Sequence, residues 1–211
     1  MVPVVLLAVF VAIVALPAAA DDVYILNVSN IPSIGNYGTV TVSGSTGSIT
    51  IDVQLAAGYI FAGGGGRFGM NSAVSLLGTD FAINSQNDSF VNPPDLGTST
   101  ACGGGDGCTS FDGFGKFYAS YGGGSNPDGT HLNFTITHSG LTLADVEQAS
   151  SQGALFAVHF FVSGTQLPGA GNTYYAAVTG PPTTTPEPGS LAMLGASLLG
   201  LGALRWRRGA R

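Results

Sequence analysis

Ser48-Ile49-Thr50-Ile51-Asp52-Val53-Gln54-Leu55 decides the fold class, because its residues alternate strictly between apolar and polar. Ile49, Ile51, Val53 and Leu55 point one way, and Ser48, Thr50, Asp52 and Gln54 the other, the mark of a half-buried strand. Leu132, Phe134 and Ile136 alternate in the same manner with Asn133, Thr135 and Thr137. Weaker stretches of the same kind run over 23–28, 39–43, 59–61, 81–83, 114–121 and 174–178. The run from Leu155 to Val162 is apolar on both faces, which predicts a central strand covered on each side. Gly44-Ser45-Thr46-Gly47 reads as a hairpin turn.

Only one segment predicts a helix. Thr142-x-x-Asp145 has capping-box spacing, and the helix it starts is expected over 143–150, stopping near Gly153. Short strands joined by glycine turns predict an all-β, sandwich-like domain with one short helix. The 33 glycines and the low charge content, 9% of residues, agree with strands and turns rather than long helices.

Both ends of the chain read as addresses. Val2 to Leu16 is apolar apart from Pro3 and closes with Ala18-Ala19-Ala20 before Asp21-Asp22. That is the layout of a signal peptide over 1–20, cut by signal peptidase at the Ala18-x-Ala20 site. No Lys or Arg precedes the apolar run, so its n-region carries only the α-amino charge. An exported domain is expected over 21–180, and a Pro/Thr linker over 181–188. The last segment, 189–211, reads as a single transmembrane helix with a basic tail. Its sixteen apolar residues, 189–204, span roughly 24 Å as a helix, just short of a bilayer core of about 30 Å. The basic cluster after it keeps that end cytoplasmic and leaves the domain outside.

The C-terminal order is Pro186-Glu187-Pro188, an apolar helix, then Arg205-Trp206-Arg207-Arg208. It resembles the PEP-CTERM sorting signal. The resemblance implies an exosortase, an integral-membrane cysteine transpeptidase, as the partner that cuts near Pro186, Glu187 and Pro188, with Arg205, Arg207 and Arg208 completing the motif. It also implies a host that makes exopolysaccharide, and a protein of the cell envelope, surface or biofilm matrix. The stretch from Gly113 through Phe160 is similar in layout to the ectodomains of other such proteins, which mostly have no assigned activity.

Charge excludes some partners. Residues 21–185 hold ten Asp and Glu147 against Arg67 and Lys116 alone, a net of −9. Such a domain repels nucleic acid and anionic lipid. Cations, polysaccharides and proteins remain.

Candidate chemistry is sparse. Cys102 and Cys108 bracket a glycine-rich loop, and in an exported protein they are expected to form a structural disulfide. Asp106, Asp112 and Asp128 lie in Gly/Asn-rich loops and are the candidates for calcium, the one cofactor considered, although no EF-hand or nonapeptide spacing is present. No G-x-S-x-G elbow and no H-E-x-x-H occurs, so no catalytic residue is assigned and the chain is expected not to be an enzyme. His131, His138 and His159 are widely spaced, and His159 reads as a hydrogen-bonded core residue. Gly63-Gly64-Gly65-Gly66-Arg67 lacks the Lys-Ser/Thr of a phosphate loop. Three Asn-x-Ser/Thr triplets, at Asn27, Asn87 and Asn133, match a glycosylation pattern that chance supplies in so Asn-, Ser- and Thr-rich a sequence. The leading expectation is a structural or adhesive surface protein that displays polar faces to polysaccharide. A carbohydrate- or calcium-binding adhesion module is the alternative and requires Tyr118, Tyr121, Tyr174 or Tyr175 exposed on one face. A secreted hydrolase requires converging aspartates.

Overall fold

The computed structural model describes residues 21–31, 35–63, 65–87, 90–103, 105–123, 129–163 and 173–184. Residues 21–185 form a compact unit that contains all of them. Fifteen strands run through the described residues. The first eight are β1 (Asp22–Ile25), β2 (Val28–Ser29), β3 (Gly38–Ser45), β4 (Ser48–Leu55), β5 (Tyr59–Phe61), β6 (Gly66–Met70), β7 (Phe81–Gln86) and β8 (Asp95–Leu96). The remainder are β9 (Thr109–Phe111), β10 (Gly115–Phe117), β11 (Ala119–Gly122), β12 (His131–Thr137), β13 (Phe156–Val162), β14 (Tyr174–Val178) and β15 (Thr183–Thr184).

Strands β9 and β10 pair as a separate hairpin, and the other thirteen form two antiparallel sheets that do not close into a barrel. The first has the order β15-β1-β3-β4-β12-β7, and the second β2-β14-β13-β6-β11-β8, with β5 also paired to β13. The strand read first from sequence, β4, lies at the centre of the first sheet. Its partners are fixed along its whole length, from Ser45↔Ser48 to Gly38↔Leu55 on β3 and from Ile49↔Ile136 to Val53↔Leu132 on β12. The hairpin between β3 and β4 turns on Thr46-Gly47, where Gly47 takes a φ of 91° that a side chain would resist.

Alternation sends one half of each strand inward. Ile49, Ile51, Val53, Leu132, Phe134 and Ile136 are fully buried, and they meet aromatic rings from the second sheet. The ring centre of Phe134 lies 5.9 Å from that of Phe68 of β6 and 4.6 Å from that of Tyr121 of β11, while Tyr24 of β1 meets Phe156 of β13 edge-on with ring centres 5.3 Å apart. These contacts make one core between two facing sheets, as the alternation predicts.

The outer face of the second sheet is covered as well. The hairpin β9–β10 lays Phe111 and Phe117 over Ala157 and Ala177, forming a second apolar cluster. Gly69 permits this approach, since a Cβ there would come within 2.6 Å of the Phe111 ring and 2.9 Å of Phe117. Strand β13 is therefore buried on both faces through Phe160, matching the reading of 155–162 as a central covered strand.

Several elements depart from the sequence reading. The stretches 23–28 and 114–121, each expected as one strand, split into β1 and β2 and into β10 and β11, because the chain crosses from one sheet to another within each. Strand β6, a neighbour of β13, falls in a stretch too glycine-rich to announce itself. With β5 it makes a single interrupted strand on β13: Phe61 pairs Phe160 and Phe68 pairs Val158, seven residues on one side against two on the other. Gly63 and Gly65 lie at that break. The helix, α1, spans only Leu143–Val146. Asp145 Oδ2 accepts from the Thr142 N–H at 2.8 Å and from its hydroxyl at 2.7 Å, as the capping spacing predicts. Glu147 then leaves helical geometry, and Ser150–Ala154 closes a separate turn through the Ser150 N–H to the Ala154 carbonyl. Finally, Thr183–Thr184, placed by sequence in an open linker, pair with Val23 and Asp22 at the edge of the first sheet.

Candidate functional site: the open face of the first sheet

The polar half of the same alternation builds the site. Thr39, Thr41 and Ser43 of β3, Thr50, Asp52 and Gln54 of β4, His131, Asn133 and Thr135 of β12, and Ala82 and Asn84 of β7 occupy the face turned away from the core. They are half-buried by one another or exposed. Register sets them in rows: Thr41 lies opposite Asp52, Asp52 opposite Asn133, and Thr50 between Ser43 and Thr135.

The rows are joined by side-chain hydrogen bonds. Asn84 Nδ2 donates to Asn133 Oδ1 and to Thr135 Oγ1, both at 2.8 Å. Thr135 and Thr50 share a bond at 3.1 Å between hydroxyls. Asn133 Nδ2 donates to Asp52 Oδ1 at 2.7 Å, and the same oxygen meets His131 Nε2 at 2.7 Å. Each group is thus held in place by its neighbour, which lowers the entropy cost of binding a ligand to the array. Asp52 is the one carboxylate in it, two-thirds screened from water, so the face is nearly neutral within an acidic domain.

The sequence names the polar residues of β4 and β12 as a face but does not bring them together. Asp52, Thr50, Asn133, Thr135 and Asn84 were not singled out as site residues. Their adjacency depends on the pairing of β12 with β4 and β7, residues about fifty to eighty apart, and nothing local in the chain encodes that register.

The sequence-predicted residues fall elsewhere. Cys102 and Cys108 stand at disulfide distance, with sulfurs 2.21 Å and Cα atoms 5.6 Å apart. Lys116 Nζ donates to the carbonyl of Gly103 inside that loop at 3.1 Å. Asp106 is buried in the same loop, while Asp112 is exposed in the β9–β10 turn, where its charge, after burial, helps raise the pKa of the Tyr175 hydroxyl. Asp128 lies outside the described residues. Among the described residues no three His, Cys, Asp or Glu side chains converge as a metal would need.

The tyrosines required for an exposed aromatic platform are not available to one. Tyr118, Tyr121 and Tyr174 are buried, and Tyr175 is half-buried beneath Phe111 and against His159. Burial pushes the Tyr121 hydroxyl well above its ordinary pKa. His159 stacks on Tyr175 with ring centres 4.4 Å apart, and its Nε2 has no hydrogen-bond partner among the described residues. It is a core residue, as expected, but one held by stacking. Burial first, and then the Arg67 charge, lower its pKa to about 4. Arg67 is itself fully buried, with its guanidinium 5.6 Å from the centre of the Phe90 ring. His138 pairs with Asp80 at 3.1 Å, where β12 ends and β7 begins.

Comparison with known proteins bears on the tail. A family model described as the PEP-CTERM protein-sorting motif matches residues 184–208. The chain carries a PEP-CTERM sorting signal. The match covers Pro186, Glu187, Pro188, Arg205, Arg207 and Arg208, all outside the described residues, as are Ala18 and Ala20 of the expected signal-peptide site. A PEP-CTERM signal implies an exosortase as processing partner, export, and a membrane-anchored stage before processing. No curated protein and no solved structure matches the chain.

Proposed function

We propose that this is a non-enzymatic protein of the cell surface or extracellular matrix. An exosortase sorts it, and it associates with exopolysaccharide through the open face of its first sheet. The observation that carries the reading is the hydrogen-bonded array of Thr50, Asp52, Asn84, His131, Asn133 and Thr135. Hydroxyls and amides in fixed rows offer donors and acceptors at the spacing of a β-sheet, about 4.8 Å across strands and 6.6 Å along alternate residues. Sugar hydroxyls meet such an array by exchanging bonds with water, each worth about 1 kcal/mol or less, so many weak contacts along a polymer do the work. The near absence of charge on the face favours a neutral polysaccharide. Calcium has no part in this reading.

The test is co-sedimentation of the exported domain with an insoluble neutral glucan. Replacing Thr41, Thr50 and Thr135 with Val preserves shape and strand propensity while removing three hydroxyls. The expected result is at least a tenfold loss of retention with unchanged circular dichroism. Retention equal to the parent contradicts the reading.

A further inference from the structure

The sorting motif and the folded edge share Thr184. Strand β15 is Thr183–Thr184, and the PEP-CTERM match begins at residue 184. Pro186 follows Thr184 by only two residues in the chain. Peptidases take their substrates as extended segments, with the backbone groups on both sides of the target open to the enzyme. Strand β15 offers fewer open groups, because Thr183 pairs with Val23 and Thr184 with Asp22.

Building on the sorting function above, we propose that β15 is a releasable latch: Thr183–Thr184 must leave the β1 edge before the exosortase engages the chain at Pro186-Glu187-Pro188. The pairing suits that role. It is two residues long, at the outermost position of the first sheet, and neither Pro181 nor Pro182 can donate a further ladder bond. On the other side of β1, by contrast, β3 pairs along all four residues from Asp22↔Val42 to Ile25↔Thr39. Release therefore removes one short edge strand and leaves the rest of the first sheet paired. The residues behind the edge belong to the start of the exported domain, so the latch ties its two ends together until processing.

The experiment locks the latch in the full-length chain, expressed in a host with an exosortase. Val23→Cys with Thr183→Cys places two cysteines directly opposite across antiparallel strands, where Cα atoms stand about 4.5–5.5 Å apart and a disulfide can close. Bond formation is verified by mass spectrometry of the linked peptides. The conversion of membrane-bound precursor to processed protein is then followed with and without mild reductant, beside a parent control under the same conditions. The locked form should be processed at least tenfold more slowly than the parent, and reductant should restore the parent rate. Thr183→Pro, which deletes the strand's N–H at that position, should be processed as fast as the parent or faster. Processing of the locked form within twofold of the parent overturns the latch, and so does slow processing that reductant fails to restore. Pro186-Glu187-Pro188→Ala-Ala-Ala separates the two claims. If that variant is trapped as precursor while the locked form is processed, the latch alone is wrong. If the triple-alanine variant is processed normally, the sorting reading falls and the latch with it.

Discussion

Acidification from pH 7 to pH 4 should destabilise the exported domain through His159. Its imidazole is buried between Tyr175 and the field of Arg67, and its pKa is about 4 against an ordinary value of 6.5. The folded state therefore keeps the ring neutral while the unfolded chain takes up a proton, and stability is complete above pH 6.5 and falls as pH drops towards 4. At about 1.4 kcal/mol per unit, that difference amounts to about 3 kcal/mol. Glu147 acts in the opposite sense: burial, the first cause, and the nearby Asp22 raise its pKa, although a hydrogen bond from Tyr24 lowers it. Its contribution is present at low pH and declines as pH rises through the raised value. His159→Phe keeps a ring against Tyr175 and removes the titration, so the difference between parent and variant isolates the histidine. Urea unfolding at pH 7, 6, 5 and 4.5 measures it. The parent should lose about 2–3 kcal/mol more than His159→Phe across that range. Parallel profiles, within 0.5 kcal/mol, would refute the reasoning.

Other perturbations follow from the same packing. Gly69→Ala pushes a methyl into the Phe111 and Phe117 rings and should cost about 1–3 kcal/mol, read as a lower urea midpoint with the core aromatic signal of the first sheet intact. Replacing Cys102 and Cys108 with Ser opens a small loop and should cost about 2 kcal/mol on chain-entropy grounds, with glucan retention unchanged because the loop is not part of the open face. Treatment with EDTA should leave that retention unchanged too. A loss reversed by added calcium would return Asp106 and Asp112 to the centre of the account.

The fold was legible wherever a strand has one wet face. Residues 48–55 form a strand with the bounds expected, and 132–137 fall within β12, because alternation of Ile, Val, Leu and Phe with Thr, Asp and Asn is a local signal. Strand β6 was not legible: Gly66-Arg67-Phe68-Gly69-Met70 carries two glycines and a charge, and its strand state comes from β13 and β11 on either side. Thr183 and Thr184 follow two prolines and look like a linker, and only β1, about 160 residues earlier, makes them a strand. The helix ended early because the cap at Thr142 starts a helix without setting its length. Of the site, the identities of the polar residues could be read from β4 and β12, whereas their hydrogen-bonded neighbours could not, since register is a long-range property. The tyrosines illustrate the converse. Their content of ring and hydroxyl suits sugar binding, but the core claimed Tyr118, Tyr121 and Tyr174.

The central claim is that this domain is exported and then parted from its C-terminal tail by an exosortase. Mass spectrometry of both termini of the mature protein, after separation of cytoplasmic, membrane and extracellular fractions, tests it most directly. The account predicts a mature N-terminus at Asp21, a C-terminus near Pro186-Glu187-Pro188, and no peptide containing Trp206 in the cell-surface or extracellular pool. A mature protein outside the cell that still ends at Arg211 would contradict it.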